Sequence, residues 1–219
     1  MRCFAVLSMT GEMKTEVLSA SDPNAMRHAA DVLRHNGLVA FPTDTVYGVG
    51  ALAFKAEAVQ RLYVVKGRAT DKAIAVLVAR TADLPKVAQE LTPSAQRLAR
   101  DFWPGPLTLV VPKHPDLPAA VSALPTVGVR FPDHPVARRL LELTGPLAVT
   151  SANRSGEPNA LTAEEVLAHL SGRVDLLIDG GRAPGGIPST VVDCTGLVPM
   201  ILRQGPVSAA EIEATLSQG

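Results

Sequence analysis

Thiols, aromatic rings and excess charge are scarce in this chain of 219 residues, and each scarcity removes a class of function. The two cysteines, Cys3 and Cys194, lie far apart with no second thiol beside either, so neither a disulfide framework nor a zinc site is indicated. Aromatic residues make up 4%, little material for the stacking platforms that bind single-stranded nucleic acid. Lysine plus arginine equals aspartate plus glutamate, 21 of each, so the molecule as a whole exerts no pull on nucleic acid or membrane. Any anion site must be a local concentration of charge. No apolar run approaches the roughly 20 residues of a membrane span. The stretch Cys3 to Ser8 is too short for a signal peptide's apolar region plus its cleavage site; it reads as a first strand, and a cytoplasmic protein is expected. Also missing are the Gly-x4-Gly-Lys-Ser/Thr loop of Walker-type nucleotide binders and the Gly-x-Ser-x-Gly elbow of α/β-hydrolases. The five histidines, His28, His35, His114, His134 and His169, fall at no metal-ligand spacing.

What is present suits one sizeable domain spanning 1–219, with 47% hydrophobic residues and residues 1–20 as an N-terminal strand or extension. Helix and strand signals alternate. Asp22-Pro23 reads as a cap with proline at the first helical position, followed by apolar residues at helical spacing until Gly37. Further helices are expected over about 56–65, from Thr92-Pro93 to Trp103, over 135–143, and after the capping boxes that begin at Thr162 and Ser208. Strands are expected at 38–41, 73–79, 107–111, 126–131, 147–150, 176–178, 190–193 and 200–202. Some neighbouring strands are joined by prolyl turns and others by helices, which predicts a twisted, open, mixed parallel and antiparallel sheet flanked by helices, an α/β (α+β) fold.

Several expected strands end in hydroxyl, amide or cationic side chains beside Gly or Pro. Pro42-Thr43-Asp44-Thr45, Lys66-Gly67-Arg68, Gly105-Pro106-Leu107-Thr108, Val129-Arg130, Ser151-Ala152-Asn153, Pro188-Ser189-Thr190 and Arg203-Gln204-Gly205 share this property. Polar groups at strand ends converge on one rim of a sheet, where open α/β folds bind ligands. Lys66 and Arg68, with Lys72 close behind, have the charge a polyanion such as a nucleotide triphosphate needs. Each segment also has a plainer reading: Arg130 as an ion-paired structural arginine, Ser151 and Asn153 as turn formers, Trp103 as a packing anchor. Gly48-Val49-Gly50-Ala51-Leu52-Ala53 fits a relaxed dinucleotide fingerprint, but that pattern should run straight into a helix, and Phe54-Lys55 reads as loop.

Taken in order, the segments resemble the YrdC/Sua5 family of L-threonylcarbamoyladenylate synthases. The resemblance runs from about residue 20 to the end. It is carried by Phe41-Pro42-Thr43-Asp44-Thr45-Val46-Tyr47-Gly48, Lys66-x-Arg68, Trp103-Pro104-Gly105-Pro106-Leu107-Thr108, Val129-Arg130 with Asp133-His134-Pro135, Ser151-Ala152-Asn153, Ser189-Thr190-Val191-Val192-Asp193 and Leu202-Arg203-x-Gly205. It implies a YrdC-like fold around a basic concave cavity. The implied reaction makes threonylcarbamoyl-AMP and pyrophosphate from ATP, L-threonine and bicarbonate or CO2, for the threonylcarbamoyladenosine modification of tRNA. By the same resemblance Lys66 and Arg68 are the catalytic cations. Lys66, Arg68, Lys72, Thr126, Ser151, Asn153 and Arg203 bind ATP, and Thr43 or Thr45, Arg130 and Ser189 hold threonine. Mg2+ comes with ATP rather than from a protein metal site, and a separate tRNA threonylcarbamoyl-transferase complex receives the adenylate.

Three departures from the family pattern stand out: Ala69 follows the Lys-x-Arg where proline is often found, Leu77 stands where some members have histidine, and the chain resembles the short form without a second domain. Two other readings stay open at this level: a double-stranded RNA-binding module with weak affinity, and a paralogue of the same fold that transfers carbamoyl groups without threonine.

Overall fold

The computed structural model describes residues 14–67, 69 and 72–217. The strand expected at Cys3–Ser8 lies outside them, as does Arg68. The described residues form ten strands, six α-helices and one 3-10 helix. The first half contains β1 (Glu16–Ser19), α1 (Ala25–Arg34), β2 (Val39–Pro42), β3 (Tyr47–Leu52), α2 (Ala56–Lys66), β4 (Ala75–Leu77), the 3-10 helix Thr81–Lys86 and α3 (Pro93–Phe102). The second contains β5 (Leu107–Pro112), β6 (Thr126–Arg130), α4 (Pro135–Thr144), β7 (Leu147–Ser151), α5 (Ala163–Leu170), β8 (Leu176–Asp179), β9 (Thr190–Asp193), β10 (Met200–Arg203) and α6 (Ala209–Ser217).

Local chemistry explains several helix ends. Thr92 Oγ1 accepts the Ala95 N–H ahead of α3, with Pro93 at the first turn. Ser208 and Glu211 exchange both bonds of a capping box. Gly67 ends α2 at φ 59°, a left-handed conformation that glycine adopts without a Cβ clash. Asp22-Pro23 is a correction: the Asp22 carboxylate accepts the Asn24 N–H at 2.8 Å and forms a turn, so the helix begins at Ala25. At Thr162 the box is incomplete, because Glu165 accepts from the Leu161 N–H instead. The apolar run 73–79 yields just three strand residues, β4.

All ten strands join one mixed sheet in the order β1-β8-β2-β3-β7-β4-β6-β5-β9-β10. Residues 48–52 of the Gly-x-Gly-x-x-Ala segment are strand β3, paired antiparallel with β2 and β7, and Ala53 follows its end, which removes the dinucleotide reading. The two faces of the sheet are covered unequally. On one, α2, α3, α5 and α6 bury the larger core, including Val76, Leu109, Val129 and Ala148. On the other, α1 and α4 cover the β8-β2-β3 side, packing Leu33, Leu140 and Leu141 against Phe41, Leu147 and Ile178. Each such aliphatic side chain withdrawn from water contributes about 1.5–3 kcal/mol. This cluster reaches β4 at Leu77, and the rest of that second face, over β6, β5 and β9, lies beyond it.

Candidate active site

That remainder is a cavity of about 320 Å3. Its floor consists of alternate residues of adjacent strands: Ala75 and Leu77 of β4, Gly128 and Arg130 of β6, Thr108 and Val110 of β5, Val149 and Ser151 of β7. The registers agree, since Leu77 lies opposite Arg130, Gly128 opposite Val110, and Ala75 opposite Val149. The site therefore lies on a face of the sheet, and the expectation of a rim is corrected. Small residues make the hollow. A Cβ at Gly48 would stand 2.7 Å from Val149 Cγ1, and one at Gly128 would stand 3.1 Å from Thr108 Cγ2 and project into the cavity side.

Arg130 forms one wall and is 6% exposed. Its Nε donates to the Gly105 carbonyl (3.0 Å), one terminal nitrogen to Thr45 Oγ1 (3.0 Å) and the other to Asp44 Oδ1 (2.5 Å). Burial lowers its proton affinity, and the Asp44 carboxylate opposes that. The Thr43 hydroxyl donates to the Val46 carbonyl, so in its 3.0 Å contact with Thr45 the Thr45 hydroxyl is the donor. Across the cavity Arg203 donates to the Ser189 carbonyl (2.7 and 3.1 Å), and Ser189 Oγ lies 2.8 Å from Thr108 Oγ1. Two arginines, each held by backbone and hydroxyl groups, thus border one polar hollow.

Lys66, at the end of α2, is 4% exposed and lies beside this hollow rather than in its lining. Its ammonium donates to the Ser151 carbonyl (2.5 Å) and hydroxyl (3.2 Å) and to the Asn153 carbonyl (2.8 Å) and side-chain oxygen (3.2 Å). It clamps the exit of β7 to α2, and through Ser151 it reaches the cavity wall. Asn153 completes the turn by donating to the Arg154 and Glu157 carbonyls.

Of the residues expected from sequence, Thr43, Thr45, Arg130, Ser151, Ser189 and Arg203 meet in the lining. Lys66 stands one bond behind it, through Ser151, and Asn153 one bond further, through Lys66. Thr126 is on the Gly128–Arg130 side of β6, about 13 Å from Arg130 by strand rise, outside the lining. Lys72 is exposed and flanks the lining residues Ala73 and Ile74. Trp103 is the packing anchor expected: it is buried, and its indole N–H donates to the Leu107 carbonyl at 2.7 Å. Leu77, which has no assigned role in the sequence, lies in the floor. The sequence reading did not assign roles to Asp44, the partner of Arg130, or Thr108, the partner of Ser189. A usable signal was there for Thr108, a hydroxyl inside the apolar run Leu107-Thr108-Leu109-Val110-Val111.

A family model described as telomere recombination (Sua5, YciO, YrdC) matches residues 31–205. A Bacillus subtilis protein named threonylcarbamoyl-AMP synthase is 42% identical over 205 residues, 92% of this chain and 59% of that one. The crystal structure of Pyrococcus abyssi Sua5 complexed with L-threonine superposes with a TM-score of 0.88 at 40% identity, over 93% of this chain and 61% of that chain. Escherichia coli YciO superposes with a TM-score of 0.81 at 25% identity, over 91% of this chain and 98% of that one. The chain thus spans about three fifths of the first two relatives and nearly all of the third. With the fold in common and more than half its length matched, the chain belongs to the Sua5/YciO/YrdC family.

Proposed function

We propose that this chain is a threonylcarbamoyl-AMP synthase, joining L-threonine, bicarbonate or CO2 and ATP with release of pyrophosphate. One observation carries the reading: Arg130 has five N–H donors, three are engaged by the protein, and two remain on a guanidinium that borders the cavity. Two parallel donors suit a carboxylate. Thr43, Thr45 and Ser189 offer hydroxyls around it for the rest of the amino acid, and the P. abyssi relative crystallised with L-threonine supports that assignment.

ATP would extend from there past Ser151 and Arg203, with Lys66, Arg68, Lys72, Thr126 and Asn153 along the nucleotide. Threonine's amine would capture carbon dioxide as a carbamate, whose oxygen attacks the α-phosphorus while pyrophosphate leaves. Negative charge grows on the phosphoryl and leaving-group oxygens, so fixed cations are the main catalytic need, each preorganised donor being worth about 3–4 kcal/mol. The carbamate is short-lived in water, and a hollow floored by Leu77, Val110 and Val149 limits its hydration. No group of three or more His, Cys, Asp and Glu side chains suited to a metal occurs among the described residues, and Mg2+ is proposed to travel with the ATP phosphates.

No helix among the described residues is long and apolar enough to cross a membrane. The cytoplasm is the proposed compartment, and a tRNA threonylcarbamoyl-transferase complex the proposed recipient. A cavity of about 320 Å3 has the scale of a small-molecule site. Duplex RNA is instead read across two successive minor grooves. The test is pyrophosphate release from ATP with and without L-threonine and bicarbonate. Release that requires both supports the synthase; release independent of threonine sinks it in favour of another carbamoyl transfer.

A further inference from the structure

The hydroxyls of the cavity near Arg130 differ in whether they still have a proton to give. Thr43 spends its own on the Val46 carbonyl, and Thr45 spends its own on Thr43. Thr45 Oγ1 also accepts an Arg130 N–H at 3.0 Å. Both threonines therefore offer a ligand lone pairs alone. Thr108 and Ser189 form a different pair. Their oxygens lie 2.8 Å apart, and each residue is 5% exposed. Arg203 donates to Ser189 Oγ at 3.2 Å, and a guanidinium accepts nothing in return. The pair thus holds two hydroxyl protons and uses one between its members. The second has no protein acceptor among the described residues.

The fold places that spare proton beside Arg130. Strands β5 and β6 are antiparallel with Leu109 opposite Val129, so one step further Thr108 stands opposite Arg130. Both line the cavity, and directly opposed residues on one face have Cβ atoms about 4.5–5.5 Å apart. On its other side β5 runs parallel to β9, with Thr108 opposite Val191, which brings the Ser189 end of β9 alongside. The Thr108 methyl is turned to β6, where a Cβ at Gly128 would stand 3.1 Å from it, and the hydroxyl is turned to Ser189. In the strand order β6-β5-β9-β10, Thr108 stands between the two arginines of the cavity, Arg130 and Arg203.

A carboxylate that accepts two N–H groups from Arg130 still has lone pairs to satisfy, and over a floor of Leu77, Val110 and Val149 an unmet lone pair is costly. With donors running from Arg203 to Ser189 to Thr108, each oxygen accepts before it donates, so the bonds polarise one another in one sense. We propose that Thr108 is a further binding residue of the amino-acid subsite: Ser189 spends its proton on Thr108 Oγ1, and the Thr108 O–H is given to the substrate carboxylate beside Arg130. The inference rests on the reading that Arg130 receives that carboxylate.

Valine at position 108 keeps the shape of the side chain and removes the hydroxyl; serine keeps the hydroxyl and removes the methyl. Calorimetry on protein shown to be folded measures Kd for L-threonine, and pyrophosphate release measures KM for threonine, ATP and bicarbonate, in the parent, Thr108→Val, Thr108→Ser and Arg130→Lys. Thr108→Val is expected to raise Kd and KM for threonine by about tenfold or more, the scale of one hydrogen bond to a charged group, with KM for ATP and bicarbonate within about threefold of the parent. Thr108→Ser, the conservative rescue, is expected to hold threonine within about threefold. Unchanged threonine binding in Thr108→Val would mean that Ser189 supplies the donor by itself, and would overturn the proposal. Equal losses in the valine and serine variants would overturn it in favour of methyl packing against Gly128. A rise in KM for bicarbonate or ATP in place of threonine would overturn it by putting the proton on the carbamate or the phosphates. Arg130→Lys keeps a charge beside Asp44 and loses the paired donors. If it binds threonine as the parent does, the reading of Arg130 fails first; if it binds weakly while Thr108→Val binds as the parent, this inference alone fails.

Discussion

Replacing Arg130 with methionine keeps an unbranched side chain at the end of β6 and removes its charge. Three bonds go with it, to the Gly105 carbonyl, the Thr45 hydroxyl and the Asp44 carboxylate. The largest consequence falls on Asp44, whose Oδ2 already has no partner and whose Oδ1 then loses its own. Breaking a buried ion pair from one side costs about 3–5 kcal/mol, because the remaining charge is left unsolvated. Against a typical domain stability of about 5–15 kcal/mol this is a large share. For a chain of this size it corresponds to a fall of roughly 6–20 °C in Tm. Adding Asp44→Asn removes the stranded charge, so the double variant should be more stable than Arg130→Met alone. Urea unfolding of the parent, both single variants and the double, followed by circular dichroism at pH 7, measures the coupling. We expect at least about 2 kcal/mol, where independent sites would add to within about 0.5 kcal/mol. Additive losses would refute the reasoning: Asp44 would then not depend on Arg130, and the wall of the cavity would be held by something else.

Gly128→Val tests the cavity directly. The strand favours a β-branched residue and the neighbour at 3.1 Å is a methyl, so stability should change by no more than about 1–3 kcal/mol. Threonine-dependent pyrophosphate release should meanwhile fall at least tenfold; an active variant would mean that the substrates lie elsewhere. Lys66→Met leaves four acceptors of the β7 exit without their donor. It should cost about 3 kcal/mol or more by chemical denaturation, as well as activity. Unchanged stability would show that the clamp is dispensable. Burial pushes the Tyr47 phenol and the Cys194 thiol each up to about 12. The folded state then holds protons that the unfolded state has released between about pH 9 and 12, so stability should fall as pH rises through that window. An alkaline stability profile that stays flat to pH 11 would contradict this. In a Cys3→Ser background Cys194 should resist thiol reagents at pH 8 until the chain unfolds, and rapid labelling of native protein would count against its burial.

Elements specified by neighbours in sequence were the most legible. Thr92-Pro93 and Ser208-x-x-Glu211 mark helix starts because the capping bonds span three residues and need nothing from the rest of the chain. Asp22-Pro23 misled because the same carboxylate closes a tight turn equally well, and the choice depends on how the chain enters α1. Strand β3 was missed because Gly48 and Gly50 weaken a strand by intrinsic preference, while here they let β3 lie close to Val149 and Phe41. For the site, residue type and position at strand ends were enough to pick out Thr43, Thr45, Arg130, Ser189 and Arg203, all of which line one hollow. The link between Arg130 and Asp44 was not legible, since it spans 86 positions of sequence.

By itself, the sequence determined the mixed α/β architecture, the family and most of the polar residues of the cavity. Those follow from periodicity, capping chemistry and residue type, which act over a few positions. Tertiary structure alone decided that the site lies on a sheet face rather than a rim. Every strand there reads as apolar alternation whether its second face is covered or open. What opens it is that α1 and α4 cover the β8-β2-β3 side of that face, leaving the floor at Gly128 and Arg130 beyond their reach. Tertiary structure likewise decided that Lys66 is a clamp on the wall, because an ammonium takes whichever acceptors the fold places around it, here the exit of β7.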